Sequence, residues 1–267
     1  MPLFHLLIIA LIQGVTEFLP VSSSGHLILI PNLTGLQDQG QVIDVAAHVG
    51  TLAAVVLYFW ADVRVGLAGI PRMLTGRIDT PGSKLAFLLA LATIPVILFG
   101  LALKLTGFDE VLRSTAVIGW TMLGFGLVLF WADRKDPSPK SDTDWSLKEA
   151  IVMGLWQAVA LIPGTSRSGI TITAGRLLGY QRHDAAKLSM LMSIPTIFAS
   201  GALLTAQVIE TADAAAARDG AIVAAMSFLS ALLALSLMMR LLRSTSFTPY
   251  VIYRVILGVI LLFIAYA

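Results

Sequence analysis

The sequence predicts an all-α protein that crosses a membrane several times, and two features of its composition carry this prediction. Charged residues make up only 13% of the 267 residues, against about 25% in a typical soluble domain. Apolar residues make up 57%, so most of the surface must face lipid rather than water. The chain is therefore expected to form a single integral membrane domain, residues 1–267, with about six full transmembrane helices.

The six predicted spans have the roughly 18 apolar residues that a helix needs to cross about 30 Å of hydrocarbon. Four contain no charged residue and lie at 85–103, 114–132, 188–209 and 220–239. Two more, 44–61 and 249–267, carry Asp44 and His48 in the first and Arg254 in the second. Asp44 and His48 are one helical turn apart and could support a site, whereas Arg254 could hold helix carbonyls or reach a phosphate.

The remaining composition excludes several classes of protein. The net charge is only +2 and the basic residues are scattered through the predicted loops, so there is no footprint for nucleic-acid binding. The N-terminal "MPLFHLL" lacks the cationic region and cleavage site of a signal peptide. The polar segment 133–146, "DRKDPSPKSDTDWS", divides the chain near its middle.

The two halves on either side of this segment resemble each other. A shift of 144 residues lays "LIQGVTEFLPVSSSGHLI" over "LWQAVALIPGTSRSGITI" without a gap, and it aligns Gln13 with Gln157 and Ser22 with Ser166. Each copy reads as a helix, a Pro/Ser/Gly turn and a second helix. We therefore expect two structural repeats, 1–132 and 147–267.

Both copies are predicted to form re-entrant helix hairpins. Residues 2–30 would cover about 44 Å as one helix, which is too long for one span and too short for two. Irregular backbone at membrane depth is tolerated only where it is buried in protein or lines a wet cavity. The same interpretation applies to residues 147–178.

The basic residues orient this arrangement. Of the 18 lysines and arginines, the six-span count leaves Arg167 and Arg254 inside the membrane and only Lys104, Arg113 and Arg218 on one face. The positive-inside rule makes the other face cytoplasmic. Both termini and the first hairpin are then external, the second hairpin enters from the cytoplasm, and the repeats are inverted, as in folds that bring half-helix ends together near the midplane.

Each break leads into a helix N-terminus, whose free N–H groups and dipole attract an anion. The candidate anion-binding residues of the two breaks are Ser22, Ser23, Ser24, Gly25, Thr165, Ser166, Ser168 and Gly169. Arg167 would add a bidentate fork for phosphate oxygens. The alternatives are that the serines only cap the helices and that Arg167 pairs structurally with Asp44 or Glu17.

The two copies differ in a way that indicates catalysis. Glu17 and His26 occur only in the first copy and Arg167 only in the second. Helical spacing places Gln13 one turn from Glu17, and Ser22 or Ser23 about one turn from His26. A hydroxyl, a carboxylate and an imidazole can therefore meet, although His26 is equally compatible with a hydrogen-bonding role inside the bundle.

Three stretches, "GVTEFLPVSSSGH", "IDVAAHVGTLAAV" and "PGTSRSGITITAG", together with the terminal "FTPYVIYRVILG", resemble the undecaprenyl-pyrophosphate phosphatase family, known also for bacitracin resistance. The resemblance extends over essentially the whole chain. It implies a multi-pass enzyme of the bacterial inner membrane whose site opens to the periplasm. Such an enzyme removes the terminal phosphate of a C55 polyprenyl pyrophosphate and recycles the lipid carrier of peptidoglycan synthesis.

The resemblance also implies roles for individual residues. The family's essential glutamate falls on Glu17, its serine on Ser23, its histidine on His26, its arginine on Arg167 and a phosphate-side threonine on Thr171. It implies dependence on Ca²⁺ or Mg²⁺, with Glu17 as the candidate ligand, although no metal-ligand cluster is evident in the sequence. Many members of the family carry a glutamate where this chain has Gln13, so this chain lacks the carboxylate pair that a two-carboxylate mechanism requires.

Two functions follow from these features. In the first, a phosphoanhydride hydrolase, Ser23 attacks the distal phosphorus and Glu17 or His26 takes its proton, while a variant makes His26 the nucleophile. In the second, inverted repeats and broken helices serve a polyprenyl-phosphate flippase or transporter. The resemblance implies a polyprenyl pyrophosphate as the substrate, and the composition predicts membrane lipids as partners. The sequence leaves the oligomeric state open, a homodimer included.

Overall fold

The computed structural model describes residues 1–27, 39–135, 140–208 and 214–267. The regular structure of these residues is helical, apart from one isolated bridge between Lys140 and Tyr180. In chain order the α-helices are α1 Leu3–Phe18, α2 from 23 to at least 27, α3 Gly40–Tyr58, α4 Trp60–Leu74, α5 Pro81–Thr106, α6 Phe108–Val111, α7 Thr115–Asp133, α8 Leu147–Val159, α9 Arg167–Leu177, α10 Arg182–Val208, α11 Ala214–Leu241 and α12 Thr248–Tyr266.

Five helices of the described residues are long and apolar enough to cross a membrane, namely α3, α5, α7, α11 and α12. They correspond to five of the six predicted spans. The sixth, 188–209, falls within α10, and its last residue lies outside the described residues. The chain is therefore an all-helical, polytopic membrane protein.

The helix α4 was not predicted, because its arginines suggested a loop. The span predicted at 44–61 in fact ends at Tyr58, and α4 starts two residues later, at Trp60. α4 packs against α5 through glycines that let the two backbones touch. A Cβ atom on Gly69 would lie 2.1 Å from the carbonyl carbon of Gly82. This segment is helical despite its charged residues because it packs closely on a neighbouring helix.

Several helices begin at side chains that satisfy their free N–H groups. Thr80 and Ser83 form a capping box at the start of α5, and Ser146 and Glu149 form another at the start of α8. Burial alone would raise the pKa of Glu149, but hydrogen bonds from Lys140, Ser146 and Tyr180 outweigh it and lower the pKa to about 2. The first turn of α8 therefore keeps a charged carboxylate at neutral pH.

The packing brings the two predicted breaks together. α1 packs on α11 and α3, whereas α9 packs on α7, α8 and α10. The largest buried apolar cluster joins Phe18 at the end of α1 to Ile172 of α9 and to residues of α3, α10 and α11. The end of α1 and the beginning of α9 consequently lie next to each other inside the bundle.

A buried carboxylate fixes the opposite end of α9. Asp133, which is 4% exposed, lies 3.3 Å from Nε of Arg176 and 2.7 Å from Nε of Arg182. It also accepts a hydrogen bond from the backbone N–H of Phe247. Asp133 thus connects α7 with α9, α10 and the start of α12.

We expect Asp133→Ala to destabilise the fold by about 3–5 kcal/mol, because it leaves the buried guanidinium of Arg176 without its carboxylate. The measurement is equilibrium unfolding in mixed detergent micelles. The matched control is Asp79→Ala, which removes the close but solvent-exposed partner of Arg72 and should cost less than about 1 kcal/mol. Equal losses in the two variants would contradict this role of Asp133.

Candidate active site

The two breaks have the same local geometry. Ser22 and Ser166 are the non-glycine residues with positive φ in the described chain, at 76° and 70°. The hydroxyl of each accepts the N–H of a glycine three residues later, Gly25 at 3.3 Å and Gly169 at 3.1 Å. A positive φ is uncommon for serine and strained, so its occurrence at aligned positions indicates that both turns are built to one plan.

Arg254 holds both breaks in place. Its side chain is fully buried and donates only to backbone carbonyls in the described structure. The accepting carbonyls belong to Pro20 in the first break, Gly164 and Thr165 in the second, and Thr121 and Met122 of α7. Of the two roles that the sequence allowed for Arg254, the structure shows the structural one.

Two further contacts seal this junction. The Ser168 hydroxyl donates to the Leu19 carbonyl at 2.8 Å, which ties the second break to the end of α1. A Cβ atom on Gly169 would lie 2.8 Å from Nη1 of Arg254, so a side chain at position 169 would collide with the guanidinium of Arg254. The requirement for glycine at 169 therefore has a packing cause.

Glu17 is the centre of the polar cluster that results. Its carboxylate is 8% exposed and accepts from the Ser23 hydroxyl at 2.6 Å and from Nη2 of Arg167 at 3.0 Å. The predicted meeting of the carboxylate and the hydroxyl is thus observed. Of the two partners that the sequence allowed for Arg167, the structure shows Glu17, and the guanidinium also contacts the Ser189 carbonyl at 3.5 Å.

Two side chains complete the surroundings of Glu17. Gln13 donates to the carboxylate at 3.0 Å, while its own Oε1 is buried without a hydrogen-bond partner in the described residues. Nε2 of His48 lies 3.9 Å from the carboxylate, and Nδ1 of His48 contacts the Asp44 carbonyl at 2.8 Å. His48 therefore faces the site directly.

His26 is oriented differently from the expectation. Its Nδ1 lies 2.6 Å from the Ser22 carbonyl and its Nε2 lies 2.5 Å from the Tyr253 hydroxyl. Helical side chains point back toward the N-terminus, which brings the ring to the carbonyl four residues earlier. The imidazole consequently meets α12 rather than the Glu17–Ser23 pair.

Most of the other predicted binding residues hold the breaks together. Thr171 is fully buried and bonds the Ser189 hydroxyl at 2.6 Å as well as the Arg167 carbonyl, so it supports the segment that carries Arg167. Low exposure is shared by Ser22, Thr165, Ser166 and Ser168. Ser24 is exposed and Ser23 is half-buried. A ligand reaches the cluster most directly at Ser23 and Ser24, and substrate binding by the others stays a prediction.

The arrangement suits phosphoryl chemistry. A hydroxyl with a carboxylate at hydrogen-bond distance is an activated nucleophile. A guanidinium and the N-termini of α2 and α9 lie at the same junction, and both attract phosphate oxygens. Groups that are able to act as nucleophile, proton acceptor and anion ligand are therefore collected in one place.

Sequence reasoning missed two functional contacts. Tyr253 lies directly before Arg254 in the terminal stretch that carries the family resemblance, so the sequence could have indicated it. No sequence pattern indicated Ser189, because its position beside Arg167 and Thr171 arises only from the packing of α10 on α9.

A cation could draw on few protein ligands here. No group of three or more His, Cys, Asp or Glu side chains in the described chain could hold a metal ion. Glu17 offers one carboxylate, and the unpartnered Oε1 of Gln13 offers a neutral oxygen beside it. This pair fits an ion such as Mg²⁺ that takes most of its ligands from substrate phosphates and water.

Comparison with known proteins agrees with this chemistry. Residues 6–260 match the family described as Bacitracin resistance protein BacA. The chain is 71% identical over 267 residues to the undecaprenyl-diphosphatase of Jannaschia sp. (strain CCS1) and 72% identical to that of Ruegeria pomeroyi, with complete coverage of both chains in each case. It is 45% identical to undecaprenyl-diphosphatase 2 of Stutzerimonas stutzeri, with 98% of each chain covered. This chain therefore belongs to the bacitracin resistance protein BacA family.

Proposed function

We propose that this membrane protein is an undecaprenyl-diphosphatase, which hydrolyses undecaprenyl pyrophosphate to undecaprenyl phosphate and inorganic phosphate. The observation that carries the proposal is the 2.6 Å hydrogen bond from Ser23 to Glu17 beside Arg167. The names of full-length relatives at 66–72% identity support it. The direct test is release of phosphate from a polyprenyl pyrophosphate by the purified protein in detergent.

In the first step, the Ser23 hydroxyl attacks the distal phosphorus and Glu17 takes its proton. The bond from this phosphorus to the bridging oxygen breaks, and undecaprenyl phosphate leaves with the electron pair. Arg167 turns from Glu17 to the phosphoryl oxygens, where its two N–H groups match their spacing. Stabilisation of these oxygens by fixed charges is the main contribution of a protein to phosphoryl transfer.

In the second step, water attacks the phosphoserine. The bond from phosphorus to Oγ breaks, Glu17 returns the proton to Ser23, and a base takes one proton from the water. We assign this second base to His26. A divalent cation held by Glu17 and Gln13 would neutralise charge on the pyrophosphate.

The flippase alternative is not adopted. A carrier needs an anion clamp but has no use for a hydroxyl bonded to a carboxylate. The relatives are named for hydrolysis, and no feature of the described residues favours transport over it.

The placement in the cell is proposed with the function. The basic residues favour an inner-membrane topology in which both breaks are re-entrant hairpins of two inverted repeats, with the site open to the periplasm. The enzyme would there recycle the lipid carrier of peptidoglycan synthesis. The family is named for bacitracin resistance, and we propose that removal of the pyrophosphate is connected with this resistance.

Arg167→Lys should reduce turnover by about 10²- to 10³-fold, the usual loss when a transition-state hydrogen-bond donor is removed. Lysine keeps the charge but lacks the planar fork. The assay is initial phosphate release by folded, purified protein. Arg218→Lys is the matched control, because Arg218 is exposed and bonds its neighbour Asp219 outside the site. Near-normal turnover of Arg167→Lys would defeat the assignment of Arg167 as the phosphate clamp.

Ser23→Ala should abolish the phosphoenzyme and nearly all turnover, because no other atom can then form it. Loss of a general base typically costs about 10²- to 10⁴-fold, so Glu17→Gln and His26→Ala should retain measurable activity. Residual rates and trapping of labelled phosphoenzyme distinguish these cases. Substantial activity in Ser23→Ala together with a phosphohistidine would replace the serine mechanism by the histidine variant.

The topology prediction uses reporter fusions. A reporter after Ala267 should read as periplasmic, and one inserted at the exposed turn between Gly76 and Arg77 should read as cytoplasmic, because the positive-inside rule places the basic loops there. Reporters on the same side of the membrane would contradict the six-span arrangement.

A further inference from the structure

Tyr253 of α12 makes a close contact with His26 that the mechanism above does not require. Its hydroxyl lies 2.5 Å from Nε2 of His26, and the two rings stack with centroids 5.7 Å apart and planes 9° apart. The next residue is Arg254, which holds the carbonyls of both breaks. α12 therefore contacts the site in two ways. Arg254 binds backbone carbonyls of the two breaks, and Tyr253 contacts the imidazole of His26.

The two contacts of the imidazole define its tautomer. Nδ1 faces the Ser22 carbonyl at 2.6 Å, and a carbonyl can only accept, so Nδ1 carries the proton. In the neutral ring Nε2 is then an acceptor, and the Tyr253 hydroxyl donates to it. The partner of one ring nitrogen sets the state of the other in this way.

Because Ser23 is bonded to Glu17, His26 is not needed to accept the Ser23 proton and can accept a proton in the second step. Ser23 already donates to Glu17 at 2.6 Å, so the proton of the first step has its acceptor. Ser23 and His26 lie three residues apart in the first turn of α2, on one face. Tyr253 is 44% exposed, so its hydroxyl can give way to a water molecule at Nε2.

We propose that Tyr253 is a positioning residue for the second step of the reaction. Its hydroxyl holds Nε2 of His26 as an unprotonated acceptor and yields this position to the water that hydrolyses the phosphoserine. The water oxygen bonds to phosphorus, the bond to Ser23 Oγ breaks, one water proton passes to Nε2, and Ser23 recovers its proton from Glu17. His26 later releases its proton to solvent. This inference rests on the proposed function.

The kinetic test compares Tyr253→Phe with the wild type by following both products in the first turnovers. Tyr253→Phe should form undecaprenyl phosphate in a burst equal to the enzyme concentration and then release inorganic phosphate about 10-fold more slowly than the wild type, a smaller loss than the roughly 10²- to 10⁴-fold for a missing base. The matched control is Tyr266→Phe, on the same helix. It removes a hydroxyl that bonds the Trp120 indole away from the site and should leave both phases unchanged.

A spectroscopic readout tests the same inference without turnover. In protein labelled with ¹⁵N-histidine, the chain's four histidines give signals from which His26 is identified by its loss in His26→Gln. The wild type should show neutral His26 protonated at Nδ1, and Tyr253→Phe should show a shifted Nε2 signal and a second tautomer.

Two results would overturn the role of Tyr253. One is an unchanged His26 spectrum in Tyr253→Phe, and the other is an equal slowing of both products, which a general structural defect would cause. If the wild type released no phosphate, the proposed function would fail instead, and the spectrum would still decide whether Tyr253 sets the tautomer.

Discussion

The site depends on one buried carboxylate that joins the two breaks. Glu17 accepts from Ser23 of the first break and from Arg167 of the second. A buried charge without a partner is strongly unfavourable, so the ion pair pulls the end of α1 toward the start of α9. In the proposed mechanism the same carboxylate is the proton acceptor for Ser23. In that mechanism a phosphate group takes the place of the carboxylate beside Arg167.

The clamp formed by Arg254 solves a different problem. Turns inside a membrane leave carbonyls without helical partners, and these must find donors within the protein. A guanidinium supplies five N–H groups in a rigid plane, and Arg254 directs them to carbonyls of both turns and of α7. The two arginines therefore differ in their partners: Arg254 donates to backbone carbonyls, whereas Arg167 pairs with the carboxylate of Glu17.

Local pattern was sufficient for much of this architecture. Five predicted spans follow from hydropathy, and the two helix breaks follow from their Pro/Ser/Gly composition, both of which are properties of neighbouring residues. The failures all involve distant ones. α4 depends on backbone contact between Gly69 and Gly82, and the orientation of His26 depends on Tyr253. A sequence read alone also could not assign Arg254, because a guanidinium bonds a phosphate and a carbonyl with the same groups.

The similarity of the two breaks and the difference in their charges have a common physical reason. Both turns need a serine in the left-handed region whose hydroxyl caps the following helix, and Ser22 and Ser166 meet this need alike. At the point where the turns touch, identical charges would repel each other in a medium of low dielectric constant. A carboxylate at the end of α1 and a guanidinium at the start of α9 attract instead. The same difference in charge that closes the junction would, in the proposed mechanism, place a base on one side of the reacting phosphorus and a cation on the other.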